Sequence, residues 1–205
     1  GEAPANLASV CKKLGAVMLQ ISTDYVFDGS KVEGYLEDDK PSPISVYGES
    51  KLLGETNVQK YTDKYYIIRL SLLFGHKGNN FVKQMIELAK TKDMLEVVDD
   101  YVSYPTYSKD FVEAVINEFI NKRDLPFGIY HLTNVPAVSR YEFAKAIFDP
   151  ALRGGQKVKV SPVPASAFPR PAKRPSYSIL LNTKIKPLRD FKEALKVYIG
   201  LNFEL

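Results

Sequence analysis

The sequence predicts an α/β fold built on a mainly parallel sheet. Three observations carry that prediction: short, continuously apolar runs, helical periodicities that alternate with them, and turn-rich stretches in between. A strand that is apolar on both faces belongs in a sheet covered on both sides, the usual state of a parallel sheet.

Each element follows in order. Ala3, Leu7, Val10, Cys11 and Leu14 recur at helical spacing and predict an opening helix. AVMLQIS, from Ala16 to Ser22, is a buried strand, and the loop from Asp28 to Ser45 is rich in Asp, Gly, Ser and Pro. A helix resumes near Tyr47, with Leu52, Leu53 and Val58 available for a core face. YYIIRL (Tyr65 to Leu70) is a second buried strand, and Asn80 to Lys90 is a helix carrying Phe81, Met85, Ile86 and Ala89. LEVV (Leu95 to Val98) is a short strand, followed by a helix from Ser108 to Lys122 with Ser108 as its cap. GIYHLT is a strand. The helix after it is opened by Ser139 with Glu142 three residues on, a capping box. KVKVSPV is a further strand, Pro162 to Pro175 is too punctuated for regular structure, and a last helix runs from about Asp190 to Tyr198.

The totals bound the function classes. The chain has 205 residues, 45% hydrophobic and 25% charged, ordinary for a soluble globular protein with a sizeable core. Its net charge of +4 is spread along the chain, which argues against nucleic acid as a partner and modestly favours an anionic ligand. The single cysteine, Cys11, excludes an internal disulfide and a Cys-rich metal site, and fits a reducing, cytoplasmic compartment. No run is long enough to span a membrane: Tyr65 to Phe74 is short and interrupted by Arg69. His76 and His131 lack a partner at metal-ligand spacing and read as structural, so no metal is expected. The acidic runs Glu37 to Asp39 and Asp99 to Asp100 read as solvated faces or turn formers.

Ser22, Thr23 and Asp24 close the first strand, and the carboxyl ends of parallel strands are where such folds bind ligands. Lys51 follows Tyr47 by four residues, so the two side chains share a helix face. A phenol is a poor proton donor at neutral pH unless a nearby cation stabilises its phenolate. A neighbouring hydroxyl can hydrogen-bond a carbonyl oxygen on which charge develops. The trio Thr23, Tyr47 and Lys51 therefore suits delivery of a proton to a carbonyl while hydride arrives from elsewhere.

STDYVFDG followed by YGESKLLGE resembles the extended short-chain dehydrogenase/reductases, and within them the dTDP-4-dehydrorhamnose reductase family. The similarity continues through RLSLLFG, NNFV, DYVSYPT, GIYHLTN and AKRPSYSILLNT, nearly the whole chain in order. It implies a Rossmann-like sheet with a small substrate-binding subdomain. Residues 1–79 are expected to be the C-terminal part of the NAD(P)-binding domain, and residues 80–205 mostly the substrate-binding subdomain with interleaved Rossmann elements. It implies NADPH, or NADH, as cofactor and reduction of the C4 ketone of dTDP-4-dehydro-L-rhamnose. By resemblance Tyr47 is the catalytic acid, Lys51 assists it and holds the nicotinamide ribose, and Thr23 polarises the carbonyl. Ser22 joins Tyr47 and Lys51 at the cofactor, and Asp24 sits beside Thr23 at the sugar. Asn80, which opens a helix, is either a diphosphate contact or a simple N-cap, and Arg174 is a clamp for phosphate oxygens. A nucleotide sugar is the expected partner, a homodimer is compatible with the family, and neither nucleic acid nor a membrane is expected.

Departures from the family pattern qualify the resemblance. Leu72 stands where the family commonly carries Trp, and the chain has no Trp; Tyr101 and Ser103 replace Gln and Gly in DYVSYPT. None of the glycines forms G-x-G-x-x-G, the turn that lets backbone amides approach a pyrophosphate. The sequence also opens without Met and already at helical spacing. The expectation is a C-terminal part of a longer protein, lacking the glycine-rich half and leaving the strand Ala16 to Ser22 with an unpaired apolar edge. Two other classes remain open: a non-catalytic binding module similar to the regulatory β subunit of methionine adenosyltransferase, and an epimerase or dehydratase acting on another nucleotide sugar.

Overall fold

The computed structural model describes residues 1–122, 124–149 and 158–203. Helix α1 (Ala3–Leu14) leads into β1 (Met18–Thr23). Then come α2 (Val46–Tyr61), β2 (Tyr65–Leu70), β3 (Leu73–Phe74), α3 (Phe81–Ala89) and β4 (Met94–Val98). β5 (Val102–Ser103) and β6 (Thr106–Tyr107) precede α4 (Ser108–Ala114). After these lie β7 (Gly128–His131), β8 (Val138–Ser139), α5 (Arg140–Ile147), β9 (Lys159–Val163), β10 (Tyr177–Ser178) and α6 (Phe191–Asn202).

The main sheet is parallel, in the order β1-β2-β7. Side chains alternate across a strand, and the β2 sequence fills both faces. Ile67 packs with Ala8, Met18 and Val58, beneath α1 and α2. Tyr66 and Ile68 face the other way onto Phe111, Val115 and Phe119. Each such aliphatic side chain, fully buried, contributes about 1.5–3 kcal/mol, so covering both faces is what stabilises the strand. Among the described residues β1 pairs only with β2, so its other side is a sheet edge.

A second core gathers α3, β4, α5 and α6 around Phe143, Phe191, Leu195 and Tyr198. There β4 pairs in parallel with β9, and the short strands β10, β5 and β8 form a three-stranded sheet beside them.

Several local expectations need correction. Ser108 does not cap its helix: Tyr107 occupies the cap without a side-chain bond, and the helix passes into π geometry over Val115–Lys122. Pro162 lies inside β9, opposite Val97, which a strand at a sheet edge tolerates. Lys157, at the start of KVKVSPV, falls outside the described residues. Glu37 is buried rather than solvated, its carboxylate accepting from the Thr183 amide at 3.0 Å and from the Thr183 hydroxyl at 2.5 Å. Of the other acids, Asp39 forms a turn by accepting from the Leu36 amide and Asp38 is exposed and paired with Lys184, whereas Asp99 and Asp100 accept from the distant Ser139 hydroxyl and Ala165 amide. No helix among the described residues is long and apolar enough to cross a membrane.

Candidate active site

The site is built where β1 ends. Thr23 caps a single 3-10 turn, Asp24–Val26, its hydroxyl oxygen accepting from the Tyr25 amide at 3.2 Å. The same hydroxyl donates to Asp24 Oδ1 at 2.9 Å, and the Ser178 hydroxyl of β10 donates to Asp24 Oδ2 at 2.5 Å. Burial pushes the Asp24 carboxyl up from 3.8 to about 6, against the pull of Ser178, Thr23 and the Arg140 cation. Burial also raises the Tyr25 phenol, Asp24 adds to the effect, and Arg174 and Arg140 oppose it.

Helix α2 brings the partners. Ser45 caps it by accepting from the Gly48 amide at 3.2 Å. Gly48 is required by contact, because a Cβ there would fall 2.2 Å from the Tyr25 carbonyl oxygen. That close approach sets the Tyr47 ring edge-to-face against Tyr25, centroids 5.8 Å apart. Tyr47 stays 55% exposed, and its hydroxyl has no protein partner among the described residues. One turn on, Lys51 Nζ donates to the Ile21 carbonyl of β1 at 3.0 Å. Tyr47 and Lys51 are thus both set against β1 and the turn that follows it, the strand end carrying Thr23 and Asp24.

The other sequence-predicted residues divide. Ser22 points inward, its hydroxyl donating to Glu55 at 2.5 Å within the core. Asn80 takes the N-cap role: its Oδ1 accepts from the Lys83 amide at 3.1 Å and its Nδ2 donates to the Gly75 carbonyl at 2.8 Å. Arg174 lines a cleft of about 520 Å³ together with Phe81, Tyr101, Arg140, Phe168 and Arg170. A larger cavity, about 640 Å³ between α5 and the start of α6, contains none of the predicted site residues.

Arg140 and Ser178 act on Asp24, and sequence reasoning did not single them out. Arg140 opens α5 directly after its N-cap, Ser139, with its guanidinium 5.6 Å from the Phe81 ring centroid. The capping box located the helix start but carried no sign that this start faces Asp24. His131 is structural, as its sequence suggested: Nδ1 donates to the Leu181 carbonyl at 3.0 Å, and burial and the Arg69 cation push it down to about 4. His76 is engaged with Asn202, and no group of residues suited to a metal ion occurs among those described.

A tyrosine and a lysine one turn apart, facing the carboxyl end of a parallel strand that carries Thr23, define an extended short-chain dehydrogenase/reductase scaffold. Solved structures agree with that fold, including a dTDP-glucose 4,6-dehydratase from Bacillus anthracis with 19% identity and a TM-score of 0.76, covering 96% of this chain and 65% of that one. The chain belongs to the family of the RmlD substrate binding domain, which matches residues 1–200. It is 42% identical over 203 residues to the dTDP-4-dehydrorhamnose reductase of Aggregatibacter actinomycetemcomitans, covering 93% of this chain and 68% of that protein. It is 41% identical to the spore coat polysaccharide biosynthesis protein SpsK of Bacillus subtilis strain 168, covering 91% of this chain and 65% of that one. A crystal structure of the Bacillus anthracis dTDP-4-dehydrorhamnose reductase in complex with NADP superposes with a TM-score of 0.88 at 39% identity, covering 97% of this chain and 70% of that one. The chain therefore spans about two thirds of the length of the relatives it matches.

Proposed function

We propose that the protein carrying this chain reduces the C4 ketone of dTDP-4-dehydro-L-rhamnose with NADPH, or NADH, in the cytoplasm, to give dTDP-L-rhamnose. The arrangement of Tyr47, Lys51 and Thr23 at the end of β1 is the observation that carries the reading. The 42% identity to a protein of that activity supports it.

The residues present fit the nicotinamide end of such a cofactor. Tyr47 offers an unpartnered hydroxyl, and Lys51 spends one of its donors on Ile21, leaving the other two for ribose hydroxyls. The cofactor, when bound, supplies hydride. The chain's own residues handle the proton and the charge. Tyr47 gives its proton to the C4 oxygen, and the Lys51 ammonium offsets the charge left on the phenolate. Thr23 turns its hydroxyl from Asp24 to the same oxygen, where the hydrogen bond strengthens as negative charge develops. Arg174, with Arg140 beside it, meets the diphosphate of the nucleotide sugar. Asn80 and Ser22 have their side chains spent on the scaffold and are left out of the reaction. Residues 1–79 fall to the cofactor-binding domain and the second core to the substrate-binding subdomain, with a homodimer as the assembly.

The test is NADPH consumption, followed by absorbance, by the full-length protein with dTDP-4-dehydro-L-rhamnose, alongside its Tyr47→Phe variant. Loss of a general acid costs about 10²- to 10⁴-fold in turnover. Undiminished turnover by Tyr47→Phe, or none by the native protein, would overturn the reading.

A further inference from the structure

Glu55 lies one turn after Lys51 and two turns after Tyr47, so all three share a face of α2. Its carboxylate is fully buried and meets Arg69 as a fork: Nε to Oε1 at 3.0 Å and Nη2 to Oε2 at 2.6 Å. The Ser22 hydroxyl donates to Oε1 at 2.5 Å. Ser22 and Arg69 are paired in register across β1 and β2, so one carboxylate of α2 is tied to two adjacent strands. The Arg69 guanidinium is fixed in turn, 5.0 Å from the Phe27 ring centroid, with Nη1 directed at the Glu37 carbonyl and at His131 Nε2.

A stability role alone is a weak account of such a cluster. Buried ion pairs recover little more than their desolvation cost, and well-packed apolar residues often replace them without loss. The cluster's position says more. Lys51 is bonded to the carbonyl of Ile21, Glu55 to the side chain of Ser22, and Thr23 follows directly. Successive residues of β1 are thereby indexed against successive turns of α2, leaving the helix little freedom to slide or roll against the strand end.

We propose that Ser22, Glu55 and Arg69 are positioning residues that set the separation between Thr23 on β1 and the Tyr47–Lys51 pair on α2. The proposal rests on the reading that these three groups act on the substrate. Glu55 touches no ligand in it. A displacement of about 1 Å in a reacting group costs about 100-fold in rate, so small movements of α2 are enough.

The experiment compares Glu55→Gln and Ser22→Ala with the native full-length protein, measuring kcat, KM, thermal midpoint and amide hydrogen exchange. Ser22→Ala removes one tether and leaves the ion pair in place, so it answers even where Glu55→Gln does not fold. The expected result is a fall in kcat of about 10- to 100-fold per folded molecule, with KM within about threefold. Amides 47–56 of α2 exchange at least about tenfold faster while those of β2 keep their protection. A kcat within twofold of native, whatever happens to the midpoint, makes the cluster purely structural and overturns the proposal. Hydrogen exchange separates this failure from that of the functional reading: if the native protein turns nothing over, unchanged protection of 47–56 in both variants still overturns the positioning role, and selective acceleration supports it.

Discussion

Asp24→Asn should stabilise the protein at neutral and alkaline pH, which is unusual for the loss of a charged group beside a reaction site. Burial raises the Asp24 carboxyl from 3.8 to about 6, so the folded state holds its proton more tightly than the unfolded chain. Between those two values the folded state binds more protons, and the slope of unfolding free energy against pH is negative. The stability this gives is fully present below 3.8, is lost progressively as pH rises to about 6, and is gone above it. The difference of about two units corresponds to roughly 3 kcal/mol at pH 7, as an upper bound. Asparagine keeps the shape, accepts from Thr23 through its oxygen and can donate to Ser178. Arg140 sets the bound, since it loses a nearby counter-charge in the variant. His131 pulls the native protein the opposite way: lowered to about 4, it makes stability fall as pH drops from about 6.5. Only the difference between the two proteins isolates Asp24. Urea denaturation from pH 4 to 8 should show that difference opening from near zero to between about 1 and 3 kcal/mol in favour of Asn. A difference independent of pH, or one favouring Asp at pH 8, would refute the reasoning.

Gly48→Ala places a Cβ 2.2 Å from the Tyr25 carbonyl oxygen and 2.9 Å from Pro43 Cβ, so α2 must retreat from the turn that carries Asp24. A loss of roughly 1–3 kcal/mol by denaturation and a fall in kcat/KM of at least about tenfold are the expected outcomes. Ser139→Ala removes the capping box of α5 and the donor to Asp99, and should cost about 1–2 kcal/mol in a urea titration.

The parts of the fold legible in the sequence are those whose signal is local. YYIIRL reads as a strand and is one, end to end, because its six residues fill both faces of a sheet. Tyr47 and Lys51 are legible as a pair because four residues make one helical turn, and Thr23 because an apolar strand stops there. The two-residue strands β3, β5, β6, β8 and β10 are too short for any period and owe their pairing to distant neighbours. Glu37 and Asp24 were invisible as buried acids for the same reason. Their partners Thr183 and Ser178 lie 146 and 154 residues away. Leu72, noted only as a departure from a family pattern, carries a φ of +39°, the one positive value among described non-glycine residues, and no local sequence feature announces it.

Those distant partners have a common direction, and it bears on how the site is made. Ser178 closes on Asp24, Tyr35 exchanges backbone bonds with Ile179 and Leu181 at 2.8 and 2.9 Å, the Leu181 carbonyl accepts from His131, and Thr183 binds Glu37. Four residues of the segment 178–183 thus bond to the stretch that follows β1. Asp24, buried and raised to about 6, is held by one of them, through the Ser178 hydroxyl. The Tyr47–Lys51 pair needs only α2, β1 and β2, which are close in sequence and whose contacts close short loops. The environment of Asp24 needs the whole chain. The proton-donating half of the site is therefore the more robust of the two, and any change that loosens the segment 178–183 should be felt first at Asp24 and the sugar, with Lys51 still held to Ile21 and Tyr47 against Tyr25.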